Sequence, residues 1–476
     1  MILKQYYLNC LAHASYLIAD ERTKTAAVVD PQRDIQQYLD DAAAGGYTIR
    51  YVFLTHFHAD FLAGHIELRN QAGAQICLGA RAGAEFEHLA LQDGNEILLG
   101  DVRIQIMETP GHTPEGISLL VFDQTRSTTE PHAVLTGDTL FIGDVGRPDL
   151  LASIGVTADE LAAMLYNSLD RLRQLPDATL VYPAHGAGSL CGKALSKETV
   201  STIGEQKTFN YALQPMPFEQ FRTLVTAEQP EAPGYFVYDA VRNRQERPAL
   251  DQTMHTALQA LPLPQVLQLQ RAGAQLLDVR DAIDFAGASL KGTLQIGLQG
   301  KYATWCGSLL NHDDPIVVIG DDNEQEAVMR LGRIGFDNVA GYLQDGMQAL
   351  QQHPEFVQTV PRITAAALAR QQQHVPTFVL DVRSEKEYAI VHLQGSSNVP
   401  LTHLRERLHQ IPTDQPVVVH CEGGYRSAIA CSRMLQAGRT NVSDLVGGIK
   451  AWIATKLPTI PENTLTCGTK VCEIVT

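Results

Sequence analysis

Arg50-Tyr51-Val52-Phe53-Leu54-Thr55-His56-Phe57-His58-Ala59-Asp60-Phe61 runs from an apolar, β-rich stretch straight into two histidines and an aspartate. Imidazoles at i and i+2, leaving a strand end, can aim at one point, and Asp60 adds an oxygen donor. Three later segments share this character: Thr109-Pro110-Gly111-His112-Thr113, Thr136-Gly137-Asp138-Thr139-Leu140 and Tyr182-Pro183-Ala184-His185-Gly186. Each sets one ligand-type side chain beside Gly or Pro just after a strand-like run, where α/β sheets carry their sites. A single such histidine reads as an ordinary polar loop end. Four in order read as a metal constellation. Around them, residues 1 to about 245 alternate short β-rich runs such as Ala26-Ala27-Val28-Val29-Asp30 with amphipathic segments, the pattern of a layered α/β domain.

The chain has 476 residues, enough for about three domains, and 45% are hydrophobic, so each can bury a core. With 37 Lys+Arg against 53 Asp+Glu the net charge is −16, which argues against nucleic acid or an anionic membrane as the main partner. The start, Met1 to Leu8, reads as an alternating strand and not as a secretory signal, and no apolar run approaches the ~20 residues that span a bilayer. Eight cysteines in so long a chain do not suggest a disulfide framework. A reducing cytoplasm is the expected compartment.

Beyond the polar stretch Val241 to Pro248, read as a linker, the chain repeats itself. Leu276-Leu277-Asp278-Val279-Arg280 returns as Val379-Leu380-Asp381-Val382-Arg383, and Pro315-Ile316-Val317-Val318-Ile319 as Pro416-Val417-Val418-Val419-His420. Asp278 and Asp381 lie 103 residues apart, Ile316 and Val417 lie 101 apart. That offset is too long for a solenoid and marks a duplicated α/β domain of about a hundred residues with a parallel sheet.

The four ligand-bearing segments resemble the metallo-β-lactamase superfamily over about residues 10–210, which implies an αβ/βα sandwich with metal at the mouth between its sheets. Two-metal hydrolases of that superfamily read His-x-His-x-Asp-His; here the last position is Phe61, which cannot ligate, so a single metal is expected. This branch resembles the persulfide dioxygenases. The resemblance implies one Fe(II) per chain held by His56, His112 and Asp138, with His58, Asp60 and His185 organising the surroundings. Two histidines and a carboxylate leave positions for a thiolate-type substrate and O₂. Zinc stays open beside iron, because His56, His58 and His112 form a three-histidine set suited to activating water. Gly143 to Asp149 resembles the family's Gly-Arg-x-Asp loop, and Arg147 and Asp149 are expected to hold the thiol carrier. Cys191, six residues after His185, reads equally as a sulfur acceptor near the metal or as a buried small hydrophobe.

In the second repeat, His420-Cys421-Glu422-Gly423-Gly424-Tyr425-Arg426-Ser427 follows an apolar strand and leads into a helical run. A cysteine at a strand end, cradled by loop amides and a helix N-terminus, has a lowered pKa and suits anions. It can accept one sulfur atom and pass it on. Four residues separate Cys421 from Arg426, one fewer than in related phosphatases, which favours sulfur transfer over phosphate chemistry. With Asp381-Val382-Arg383 upstream, residues 360–458 resemble rhodanese, which implies Cys421 and Arg426 as catalytic and Glu422, Gly423, Gly424 and Tyr425 as the cradle. The first repeat has Gly320-Asp321-Asp322-Asn323-Glu324-Gln325-Glu326 instead, without Cys or Arg, and is expected to be an inactive scaffold. Cys306 reads as packed, and Cys467 and Cys472 as tail thiols.

Three domains are expected, at 1–248, 256–357 and 358–476. The expected function is bifunctional sulfur metabolism of the sulfide-detoxification kind. A thiol persulfide such as glutathione persulfide is oxidised by O₂ to sulfite at the iron, and Cys421 makes or uses thiosulfate. Rival readings are a zinc thioester hydrolase of the glyoxalase II kind and a non-catalytic sulfur carrier or sensor. A homo-oligomer is expected, with the inactive repeat as a contact surface.

Overall fold

A computed structural model describes residues 1–150, 155–227, 229 and 232–461. Cys467 and Cys472 lie outside the described residues. The chain divides into two compact units. One holds residues 1–257 together with 303–312 and 328–338; the other holds 258–302, 313–327 and 339 onward.

The first unit is built on two six-stranded sheets. One runs in spatial order Ile2–Leu8, His13–Asp20, Thr25–Val29, Thr48–Phe53, Gln75–Gly79, Leu89–Leu91. The other runs Ser201–Thr202, Leu180–Pro183, Ala133–Gly137, Ile117–Asp123, Val102–Glu108, Glu96–Leu99. The period-two alternation of strand side chains assigns each residue to a layer. Leu119, Val121 and Leu135 join Tyr16, Ile18, Val29 and Phe53 in the core between the sheets. Their neighbours Leu120, Phe122 and Val134 pack outward against Ala162, Leu165, Leu169 and Leu172. Those four share one face of the helix Ala158–Arg173, whose start is fixed by a capping box between Thr157 and Glu160. This is the αβ/βα sandwich the sequence predicts.

In the second unit each repeat forms a five-stranded, wholly parallel sheet, and the strand orders correspond. The first runs Ala260–Leu261, Val339–Leu343, Ile316–Ile319, Gln275–Asp278, Leu294–Gln295. The second runs Arg362–Ile363, Val442–Leu445, Val417–His420, Phe378–Asp381, Ser397–Asn398. The central strands, Ile316–Ile319 and Val417–His420, are buried at every residue, as expected for a sheet covered on both faces.

The expectation of a linker at Val241 to Pro248 is overturned. Tyr235–Arg242 is a helix, Asn243 is fully buried, and Arg247 is buried in an ion pair with Glu67. The stretch lacks apolar periodicity because its residues are held by polar contacts, not because it is free. Among the described residues no helix is long and apolar enough to cross a membrane.

Candidate functional site

The metal loop begins where the strand Thr48–Phe53 ends. Asp30, held in the left-handed region at φ 49°, accepts hydrogen bonds from Thr55 N and Thr55 Oγ1, both at 2.8 Å. Thr55 Oγ1 in turn lies 3.0 Å from His56 Nδ1, which leaves His56 Nε2 facing inward. His112 Nδ1 is hydrogen-bonded to the Arg147 carbonyl at 2.9 Å, so its Nε2 is also free to ligate. Both Nε2 atoms approach Asp138 Oδ2, at 3.8 Å from His56 and 3.5 Å from His112. Donors about 2.1 Å from a shared centre stand about 3.0–3.4 Å apart, so this buried trio needs little movement to enclose an ion.

Two glycines make the close approach possible. Gly137, at φ 52°, precedes Asp138, and a Cβ there would lie 2.5 Å from Thr55 Oγ1. At Gly146 a Cβ would meet Asp138 O at 1.9 Å and His112 Cβ at 3.0 Å. A small recess opens beside the trio, lined by Thr55, Thr109, Thr113, Gly116, Ile117 and Thr139 with the ligand-type residues.

The other predicted site residues divide. His58 is not in the trio; its Nε2 lies 3.1 Å from Asp30 Oδ1, and its ring sits 4.5 Å from that of Phe61. His185 lies between two carboxylates, with Nδ1 at 2.8 Å from Asp138 and Nε2 at 3.0 Å from Asp60. Burial alone would lower the His185 pKa, but Asp138 and Asp60 hold it well above the usual histidine range. Asp138, which burial would raise, is held well below the usual carboxylate range by His185 and His56. His56 goes down through burial and the neighbouring His58.

Asp60, His185 and Cys191 form a second buried group of donors, all within 4.8 Å of one another. Burial, reinforced by Asp60 and Asp138, pushes the Cys191 thiol well above its usual pKa. The Cys191 carbonyl also accepts from Arg147 N at 2.9 Å and so steadies the residue whose own carbonyl orients His112. Arg147, 3% exposed, makes two hydrogen bonds of 2.6 Å to Asp149.

At the other predicted site, Cys421 is 2% exposed and its Sγ accepts from Gly424 N at 3.1 Å. The helix Tyr425–Gln436 starts immediately after. Ser427 Oγ lies 3.7 Å from the sulfur and donates to Asp444 at 2.6 Å. Arg426 is committed to Glu387 by two hydrogen bonds of 2.7 Å. Burial would raise Glu387, but Arg426 and Ser384 pull it down to about 2. Glu422 pairs with Lys450 at 2.8 Å, and Tyr425 Oη donates to Gly297 O at 2.7 Å.

In the first repeat the equivalent loop is filled by its own side chains. A Cβ at Gly320 would lie 2.6 Å from Asn323 Oδ1 and 2.7 Å from Glu324 Oε1. Cys306 is fully buried, as expected.

Sequence reasoning missed His13, Asp30 and Asn243. The buried His13 ring sits 4.1 Å from Phe61 and 5.5 Å from His185. Asn243 bonds the metal-loop backbone from a stretch read as linker. None of the three belongs to a local ligand motif, so only contact across the fold reveals them.

Two facing sheets with donors at one mouth, followed by two parallel-sheet repeats, define a sandwich with a candidate metal site joined to a tandem. The chain matches the metallo-beta-lactamase superfamily over residues 8–185 and the rhodanese-like domain over residues 263–353 and 364–455. A crystal structure of a metallo-beta-lactamase from Staphylococcus aureus subsp. aureus COL is 30% identical with a TM-score of 0.64, covering 72% of this chain and 98% of that one. The protein belongs to the metallo-β-lactamase superfamily and carries two rhodanese-like domains after its metal domain. The human mitochondrial persulfide dioxygenase ETHE1 is 29% identical over 217 residues, 44% of this chain and 75% of that protein. A hydroxyacylglutathione hydrolase of Polaromonas sp. is 29% identical over 231 residues, 43% of this chain and 82% of that protein.

Proposed function

We propose that this enzyme of sulfur metabolism oxidises a low-molecular-weight thiol persulfide with O₂ at one iron held by His56, His112 and Asp138, and moves sulfane sulfur through Cys421. The observation that carries the first half is the buried two-histidine, one-carboxylate trio, with His58 beside Asp30 and outside the set. Similarity to a persulfide dioxygenase and to rhodanese-like domains supports the same reading. Ferrous iron bound by such a trio supplies electrons for O₂ chemistry and open positions for a thiolate sulfur. Persulfide, O₂ and water give thiol, sulfite and two protons, which balances. The chain's own residues orient: Asp30 through Thr55 sets His56, Arg147 O sets His112, and His185 sets Asp138. We assign Arg147, held by Asp149, to the carboxylate or phosphate of the thiol carrier, and His58 and Asp60 to ordering the loop.

At Cys421 the thiolate attacks a sulfane sulfur; the donor's S–S bond breaks and its thiol or sulfite leaves. Attack of sulfite on the outer sulfur of the resulting persulfide releases thiosulfate and restores the thiolate. The Gly424 N–H, already on Sγ, stabilises the anion, and the cradle Glu422 to Tyr425 with Arg426 receives the substrate.

A second reading has its own observation. Asp60, His185 and Cys191 are a second donor group, and with the hydrolase similarity they would suit a two-zinc thioester hydrolase. For that, His185 must give up its carboxylates. Metal analysis of protein purified without added metal, with an oxygen electrode and glutathione persulfide, separates the readings. One iron per chain with oxygen uptake is expected; two zincs without uptake would overturn the proposal.

A further inference from the structure

Between His58 and Ala63 the backbone of the metal loop is held group by group. The Asn243 amide donates to His58 O at 2.9 Å and to Phe61 O at 2.8 Å, and accepts from Ala63 N at 2.9 Å. Arg247 Nη2 donates to Ala63 O. Leu62 N donates to Arg333 O at 2.7 Å. Buried backbone groups must find such partners, and this last one comes from far along the chain: Arg333 ends the helix Glu324–Arg333 of the first repeat.

The same segment enters a buried ionic chain. Arg33, 1% exposed, donates to Asp337 Oδ2 at 3.1 Å, to Gly332 O at 2.7 Å and to Glu67 Oε1 at 3.0 Å. Glu67 accepts from Arg247 Nη1 at 2.7 Å, and Arg247 reaches Ala63 O, next to the loop that bears Asp60. Arg333 itself makes two hydrogen bonds to Asp34, at 2.7 and 2.6 Å. Residues 328–338 accordingly cluster with the metal domain. Removing one carboxylate from such a chain leaves a buried guanidinium short of a partner, and the chain must rearrange.

We infer that the first repeat, which lacks a loop cysteine, is a positioning element of the metal centre: its segment 328–338 holds the His56–Ala63 loop through Arg333 O and the Asp337–Arg33–Glu67–Arg247 chain. None of these residues touches the trio, and the inference rests on the trio being a metal site. The consequence is that metal affinity depends on Asp337, in a repeat without chemistry of its own.

The test loads the full-length metal-free chain with Co(II), titrates affinity against a chromophoric chelator and records the visible d–d bands. Asp337→Asn is expected to weaken Co(II) at least ten-fold and to change the bands, while sulfur transfer at Cys421 stays at wild-type level. Asp381→Asn breaks a comparable buried Arg–Asp pair in the other unit and is expected to keep wild-type affinity and bands; it controls for general destabilisation. If Asp337→Asn does not fold, Arg33→Lys, which retains charge but lacks the fork, carries the same expectation. Affinity and bands within two-fold of wild type in these variants would overturn the inference alone. A wild-type chain that binds no Co(II) would overturn the metal reading, and this inference with it.

Discussion

The two rhodanese-like repeats share a sheet and differ in a loop. In each, an arginine two residues beyond a buried aspartate clasps it: Arg280 Nη2 to Asp278 at 2.6 Å, Arg383 Nη2 to Asp381 at 2.6 Å. Each arginine also reaches a carbonyl eight residues on, Ala288 O at 2.9 Å and Val391 O at 2.7 Å. The loops after the central strands diverge. One frames a sulfur with Gly424 N–H and a helix start, whereas the other folds Asn323 and Glu324 into the same space. The fold is maintained by the clasp and the buried strands, and the chemistry resides in a handful of loop residues that the fold does not require.

The largest expected effect is at Cys421. Cys421→Ser should abolish thiosulfate formation while oxygen uptake with glutathione persulfide continues; loss of both would break the division between the ends of the chain. At the other end, Asp138→Ala should remove bound metal and lower oxygen uptake by at least 10²-fold, since a ligand is lost outright, with sulfur transfer intact.

Next come the clasps. Asp278→Asn and Asp381→Asn should each destabilise their own repeat by about 3–5 kcal/mol, the cost of stranding one partner of a buried pair, read from denaturant unfolding of each repeat's signal. Unequal losses would show that the clasps are not equivalent. A smaller effect is expected from acid. Glu387, lowered to about 2 by Arg426 and Ser384 against its burial, contributes stability that is complete above the ordinary glutamate range near 4.3 and lost as pH falls through about 2. Glu387→Gln should flatten the acid limb between about pH 4.5 and 2. Smallest of all, Gly320→Cys should gain no sulfur transfer, because Asn323 and Glu324 occupy the cradle; measurable activity would mean that the cysteine alone separates the repeats.

Much of this was legible in the linear order of residues. The placement of His56, His112, Asp138 and His185 after strand-like runs announces a metal constellation, because donor positions at strand ends are set locally, and the family resemblance implies the sandwich and the trio within it. The duplicated Asp-Val-Arg and apolar strand announced the tandem. What was not legible came from partners distant in sequence. Asn243 and Arg247 read as linker in the sequence because polar contacts leave no periodic signature. That the buried Cys191 comes within 4.8 Å of Asp60 and His185 is set by folding, not by its local sequence. The hydrogen bond from Leu62 N to Arg333 O spans 271 residues, from 62 to 333.

By itself, then, the sequence determined the domain types, a group of candidate donors that still included His58, and the difference between a repeat with Cys421 and one without it, since each rests on residue identity within a short window. Tertiary structure decided that His58 stays out of the trio, that Arg426 is paired with Glu387 and that Cys191 joins a second donor group. It also placed residues 328–338 with the metal domain. These depend on where buried charges and backbone groups find partners, and a buried polar group takes the nearest partner in space, whatever its distance along the chain.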